Sequence, residues 1–361
     1  MSNIRYENSV LNSNEYNESA LILKSRPRML FLELTRNCNL HCSMCRPYNW
    51  YRSDWYMADD VLDIIRNQLF PYIEMVDLRG FGESTLDDRL IILADELRES
   101  GIKTQLYSNL NAQDELYWKR LVKTGINIAV SIETAIPSKY EAIRRGGNFE
   151  RMKKNLIAAV SSSNPLVNEV FFSVVLSEDN LFEIDELIKF ARECGIKRIQ
   201  LNPISKNVNN TCFYGFEDVS IKENFSVFIN ISEVAKKEQV TVEIAANLFN
   251  ECDLLKSHCI HPWSYVFVRY DGSVGFCDHL ARVNESIIGN VLEKDFMDIW
   301  NSEQYIQLRK DHSLARFEAL NKKGIECEWC KKNRYGNNEY LFENDEVPIS
   351  LDDYIKKVIA K

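Results

Sequence analysis

Nothing in the 361 residues approaches the roughly eighteen consecutive apolar residues of a membrane-spanning helix. The longest apolar runs, such as Val170–Leu176, are strand-sized. The N-terminal stretch Met1–Glu18 is polar, rich in Asn, Ser and Glu, and lacks the apolar segment of a signal peptide. Excess positive charge is missing as well. The 44 Lys and Arg are outnumbered by 53 Asp and Glu, for a net charge of −9, which argues against a nucleic-acid-binding surface. Histidine is scarce, and His41, His258, His261, His279 and His312 show no paired ligand spacing, so none is assigned to a metal. No short-period repeat marks a solenoid. These absences leave an ordinary globular chain, 45% hydrophobic and 27% charged. It is expected to be cytoplasmic, with neither nucleic-acid nor membrane partners. Its length suits one large domain plus a smaller one, or a barrel with an extension.

Cysteine, by contrast, is plentiful, with ten residues. In a reducing compartment clustered cysteines suggest metal or redox chemistry rather than disulfides. Seven fall into two sets. Cys38, Cys42 and Cys45 lie in one short loop after an apolar stretch, spaced so that their thiolates can wrap a single inorganic centre. Three thiolates leave one coordination position open, and an open position is what separates a site that does chemistry from a saturated structural one. The second set is Cys259, Cys277, Cys327 and Cys330. Taken alone it suits a structural zinc as well as an iron–sulfur centre. Cys194, Cys212 and Cys252 are left over, and small buried hydrophobes are the default reading of each.

Apolar, β-branched runs alternate with amphipathic segments. Strands are expected at Met29–Thr35, Met75–Arg79, Lys103–Tyr107, Asn127–Ser131, Val170–Leu176 and Arg198–Leu201, with Val240–Ala245 closing the series. Helices are expected at Ala58–Phe70, Leu86–Ser100, Glu115–Thr124, Phe149–Ser162, Leu181–Cys194 and Glu217–Lys237. Such alternation means parallel βα units with helices covering the sheet. From Cys259 the rhythm changes to a hairpin, Tyr265–Tyr270 and Ser273–Cys277 joined at Asp271-Gly272. Then follow Ile287–Val291, one helix over Phe296–Lys310, and a short helical tail at Leu351–Lys361.

In parallel βα architectures reacting groups gather at the carboxyl ends of strands. Here those ends carry the cysteine loop, Gly80-Phe81-Gly82-Glu83, Ser108-Asn109, Ser131 with Glu133, Ser173 and Asn202. Any one of these residues also suits a simple turn. Together they offer the small hydrogen-bonding groups that a zwitterionic ligand with a ribose needs.

The pairing of Cys38-x₃-Cys42-x₂-Cys45 with Gly80-Phe81-Gly82-Glu83 resembles the radical S-adenosylmethionine (SAM) superfamily over residues 28–245. The resemblance implies an α/β fold, a partial (β/α)6 TIM-like barrel. The three thiolates would hold a [4Fe–4S] cluster whose fourth iron binds SAM through its amino and carboxylate groups. Carried over by position, Gly82 and Glu83 would hold the SAM amino group. Ser108, Ser131 and Glu133 would lie near its ribose or methionine moiety, Arg144 would pair with its carboxylate, Met44 would pack near the adenine, and Asn202 is counted with them. The sequence departs from relatives at Glu83-Ser84-Thr85, where Glu-Pro is common.

The segments Cys259-Ile260-His261-Pro262-Trp263, Asp271–Cys277 and Ile288–Val291 resemble the twitch or SPASM extension of the same superfamily. No cysteine follows Cys330, so Cys259, Cys277, Cys327 and Cys330 imply one auxiliary [4Fe–4S] cluster, as in aminocyclitol dehydrogenases of the shorter twitch form. The domains expected are an N-terminal extension 1–27, the barrel 28–245, a twitch/SPASM-like domain 246–340 and a tail helix 341–361.

What the resemblance implies chemically is cleavage of SAM to a 5′-deoxyadenosyl radical that takes hydrogen from a C–H bond. The electron is then lost to the auxiliary cluster, and a ferredoxin or flavodoxin serves as donor. The expected substrate is a sugar, aminocyclitol or sugar nucleoside. Fewer than thirty residues precede the first strand, too few for a leader-binding domain. The alternatives are an epimerase with Cys212 as hydrogen donor, a peptide-modifying maturase and, from another class, a zinc-ribbon binding module. The aromatic run Tyr48–Tyr56 either covers substrate or staples the first helix onto the barrel.

Overall fold

The structure is a computed structural model and describes residues 3–45, 54–203, 224–244, 259–277, 284–321, 327 and 350–359. Its strands are β1 (Met29–Leu32), β2 (Met75–Leu78), β3 (Lys103–Ser108), β4 (Asn127–Ser131), β5 (Val170–Leu176), β6 (Arg198–Pro203), β7 (Thr241–Ile244), β8 (Tyr265–Val268), β9 (Ser273–Gly275) and β10 (Ile287–Asn290). The chain falls into two compact units. The first combines Met1–Asn37, Arg52–Leu106 and Glu251–Lys332; the second combines Cys38–Tyr51, Tyr107–Asn250 and Asn333–Lys361.

In the first unit the strand order is β10-β9-β8-β1-β2-β3. β1, β2, β3 and β8 run parallel; Met29 pairs with Met75 on one side and with Tyr265 on the other. The antiparallel partners β9 and β10 extend this sheet beyond β8. All residues of β1, β2 and β8 are buried, as expected of parallel strands covered on both faces. The helix Leu90–Glu99 turns Leu90, Leu93 and Leu97 inward, the spacing legible in the sequence. Leu86 instead belongs to a tight 3₁₀ turn over Ser84–Leu86.

Two features depart from expectation. The polar N-terminal stretch forms a helix, Asn3–Asn17. It docks by polar side chains rather than an apolar stripe: the buried Asn12 amide donates to the Trp263 carbonyl at 2.7 Å, and the Arg5 guanidinium donates to the Ser100 carbonyl at 2.9 Å. The single helix expected over Phe296–Lys310 is two, Phe296–Trp300 and Glu303–Ser313. Ser302 breaks it, adopting an extended conformation and accepting the Tyr305 N–H on its hydroxyl, a hydroxyl cap that starts the second helix afresh.

The second unit carries β4-β5-β6-β7, all parallel. Asp114 and Asn148 cap the helices Glu115–Val122 and Phe149–Ser162 by accepting backbone N–H groups. Cys194 is buried at the C-terminus of the helix Ile184–Glu193, just before Gly195 with φ of 79°, the small structural hydrophobe expected of it. Leu351–Ile359 forms the tail helix.

Candidate active site

The cysteine loop belongs to the second unit. Its backbone is pinned where the His41 N–H donates to the Arg145 carbonyl at 2.8 Å and the Ser43 N–H to the Ile143 carbonyl at 2.9 Å. Cys38, Cys42 and Cys45 are half-buried and form no disulfide, and donors gather around them. The Leu40 N–H reaches Cys38 Sγ at 3.4 Å, the Asn109 amide reaches the same sulfur at 3.9 Å, and Arg144 Nη1 stands 4.0 Å from Cys42 Sγ. N–H groups and a guanidinium around sulfur stabilise thiolates that share negative charge with an inorganic cluster. The donor set therefore fits an iron–sulfur cluster. Without one, burial pushes the Cys42 thiol up to about 12 although Arg144 pulls the other way.

Arg144 donates through Nε and Nη2 to both carboxylate oxygens of Glu133, at 2.7 and 2.6 Å, and both side chains are buried. Burial works against the guanidinium charge, but Glu133 beside it holds its pKa above the ordinary value. Glu133, expected near the ribose or methionine moiety of a bound SAM, and Arg144, expected at its carboxylate, thus form one bidentate ion pair next to a cluster cysteine. Asn111, which the sequence reading did not single out, donates to the Tyr140 hydroxyl at 2.8 Å and holds the Asn148 N–H on its own carbonyl. Met44 packs with Ile143 and Val175. Ser131 pairs in register with Ser173, whose hydroxyl accepts from the Asn202 amide at 3.1 Å. Ser108, at the end of β3, accepts the Leu110 N–H at 3.1 Å.

The glycine loop belongs to the first unit. A Cβ added to Gly82 would lie 2.6 Å from the Asn37 carbonyl oxygen, so only glycine allows this approach. The same carbonyl accepts the Glu83 N–H at 2.7 Å. The Glu83 carboxylate accepts the Thr85 hydroxyl at 2.7 Å, and the Ser84 hydroxyl donates to the Leu78 carbonyl at 3.1 Å. Two hydroxyls therefore shape this turn.

Three aromatic rings gather around one guanidinium in the same unit. Trp55 stacks on Tyr270 with centroids 5.9 Å apart, and the Arg36 guanidinium lies over the rings of Trp55, Phe81 and Tyr270. Of the aromatic run Tyr48–Tyr56, residues up to 53 lie outside the described residues.

Of the second cysteine set, Cys277 is buried at the foot of the β8–β9 hairpin, and Cys259 and Cys327 are half-buried, in the same unit. His312 Nε2 lies 3.5 Å from Cys327 Sγ and its ring packs edge-on to Phe276, the residue before Cys277. Cys330 and the leftover Cys212 and Cys252 lie outside the described residues. Among the described residues, no three His, Cys, Asp or Glu side chains converge tightly enough for a single ion. No helix of the described residues is long and apolar enough to cross a membrane.

Comparison with known proteins agrees with this chemistry. Residues 32–191 match the radical SAM superfamily, and residues 259–332 match the SPASM iron–sulfur cluster-binding domain. The chain thus carries a radical SAM domain and a C-terminal SPASM domain, and its parallel strands match the open α/β partial barrel of radical SAM proteins. It is 24% identical over 311 residues to the tungsten-containing aldehyde ferredoxin oxidoreductase cofactor-modifying protein of Pyrococcus furiosus, covering 78% of this chain and 83% of that one. A probable GTP 3′,8-cyclase of Methanococcus maripaludis is 22% identical over 261 residues, 71% of this chain and 80% of the relative. Among solved structures, Streptococcus suis SuiB bound to S-adenosylmethionine shares the fold with a TM-score of 0.63 at 20% identity, over 86% of this chain and 74% of SuiB. The cofactors are accordingly a [4Fe–4S] cluster and SAM in the radical SAM domain and an additional iron–sulfur centre in the SPASM domain.

Proposed function

We propose that the chain is an oxidoreductase that removes hydrogen from a C–H bond of a small polar metabolite, of the sugar, aminocyclitol or sugar-nucleoside class. The observation that carries this reading is the cysteine complement: three thiols in one loop and four, Cys259, Cys277, Cys327 and Cys330, in the SPASM region. That complement supports a single auxiliary cluster with every iron ligated by protein, which has no open site to bind substrate and serves to accept an electron. Bound together, the cofactors supply a 5′-deoxyadenosyl radical for hydrogen abstraction and an acceptor for the electron left behind.

The chain's own side chains supply positioning. Leu40, Asn109 and Arg144 hold the cluster thiolates. Gly82 lets the backbone approach SAM, and Glu83 offers its carboxylate to the SAM amino group. Ser131, Ser173 and Asn202 present a hydrogen-bonding layer across β4, β5 and β6, suited to the hydroxyls of ribose or substrate. The names of the relatives support a small substrate, since one modifies a cofactor and another is a nucleotide cyclase.

The test is turnover with SAM, a strong reductant or a ferredoxin or flavodoxin, and candidate polyols in deuterated water. A new carbonyl without solvent deuterium at carbon is expected. Solvent deuterium at an inverted carbon, abolished by Cys212→Ala, would refute dehydrogenation in favour of epimerisation.

A further inference from the structure

Glu33 is the one carboxylate in the apolar run Met29–Leu34, and it is fully buried. Its Oε1 accepts the Phe81 N–H at 2.9 Å, and its Oε2 faces Arg36 Nε at 3.3 Å. The Tyr270 N–H and the Arg269 guanidinium act on it from the end of β8. Its own N–H donates to the Val268 carbonyl at 3.0 Å. At Gly80 a Cβ would stand 2.8 Å from the Glu33 Cβ, so the glycine loop lies directly on this side chain.

An ionised carboxylate offers about four acceptor positions and no donor. Here the donors come from the ends of three different strands, β1, β2 and β8. The amide from β2 sits between the two glycines that precede Glu83, and the amide from β8 opens the Asp271-Gly272 turn that returns to Cys277. One side chain therefore contacts both loops that the chemistry needs.

We propose that Glu33 is a positioning residue that braces the glycine loop and the β8–β9 hairpin together. It sets the SAM-binding backbone and the approach to an auxiliary-cluster ligand from a single carboxylate. The proposal rests on the reading that the glycine loop holds the SAM amino group. Glu33 itself is roofed by Gly80, Phe81 and Arg36 and is not assigned a contact with SAM or substrate. Buried carboxylates that lose their place in such a network leave their donors unpaired, which is why the effect should spread to both loops.

The test compares Glu33→Ala, Glu33→Gln and Gly82→Ala as anaerobically reconstituted holoenzymes. Three quantities are read: the dissociation constant for SAM, amide hydrogen exchange over 79–84 and 269–277, and the EPR line shape of the auxiliary cluster. Glu33→Ala is expected to weaken SAM binding about tenfold or more, to speed exchange in both segments while that of the helix Phe149–Ser162 stays unchanged, and to alter the auxiliary signal. Glu33→Gln keeps an acceptor for the Phe81 N–H and should recover part of each effect; it carries the comparison alone if the alanine variant fails to accumulate. Native exchange in either segment, or uniformly faster exchange throughout, overturns the brace. Weakened SAM binding in Gly82→Ala with none in Glu33→Ala also overturns it. Unchanged SAM binding in both variants overturns the reading of the glycine loop instead.

Discussion

Replacing Gly82 with alanine isolates the glycine loop from the rest of the machinery. The new methyl would stand 2.6 Å from the Asn37 carbonyl oxygen and be crowded by the Thr35 carbonyl too, both backbone groups that no rotamer change can relieve. Restoring an ordinary contact of 3.4 Å to the Asn37 oxygen alone requires a relative movement of about 0.8 Å, and the Thr35 carbonyl, which stands nearer still, demands more. The Asn37 carbonyl also accepts the Glu83 N–H at 2.7 Å, so the same movement strains the bond that fixes the glutamate. Residue 38, the first cluster cysteine, follows directly in the chain. Misplacement on the order of 1 Å costs about 10²-fold in the function of a preorganised site, or about 2.7 kcal/mol. SAM affinity of the reconstituted variant, measured by equilibrium binding alongside iron content and circular dichroism, should fall by that factor with the fold intact. A dissociation constant within about twofold of the parent would refute the steric argument.

Glu133→Gln should leave the Arg144 charge buried without its carboxylate, at a cost of about 3–5 kcal/mol, read as a lower urea midpoint; Glu133→Gln with Arg144→Met should recover much of that loss. In cluster-free protein the Cys42 thiol, pushed up to about 12 by burial, should alkylate slowly through pH 9 when mapped by mass spectrometry. Because its folded-state pKa lies above the ordinary 9.0, this thiol stabilises the cluster-free fold below pH 9, and that contribution is lost as pH rises toward 12. Cys259→Ala should lower iron from about eight to about four atoms per chain while reductive SAM cleavage persists, since the first cluster keeps its own three cysteines.

The parallel βα rhythm and the cysteine loop were legible because both are local: period, β-branching and ligand spacing lie within a few residues of one another. Glu33 was not, because its meaning comes from Arg269 and Tyr270, more than two hundred residues away, and in the sequence it reads only as an interruption of an apolar strand. The N-terminal helix carried no signal for a similar reason. Its docking rests on Asn12 and Arg5 finding carbonyls elsewhere in the fold rather than on an apolar stripe. The break at Ser302 was visible in principle, since a serine followed by Glu303 is a helix-start pattern, but the apolar spacing on either side masked it. The Glu133–Arg144 pair shows the limit of carrying motif positions over one at a time. Both residues were singled out, and their engagement with each other emerged only from the fold.

The parallel pairing of β1 with β8 has a consequence for biosynthesis. Met29 waits for Tyr265, a partner translated 236 positions later. At about 5–20 residues per second that interval lasts about 12–47 s. For that time a wholly apolar strand lacks one of its two neighbours, leaving an unpaired edge of the sort that templates aggregation. Shortening the chain ahead of residue 265 would make that vulnerability permanent, so the cluster-bearing C-terminal region also closes the edge of a strand made long before it.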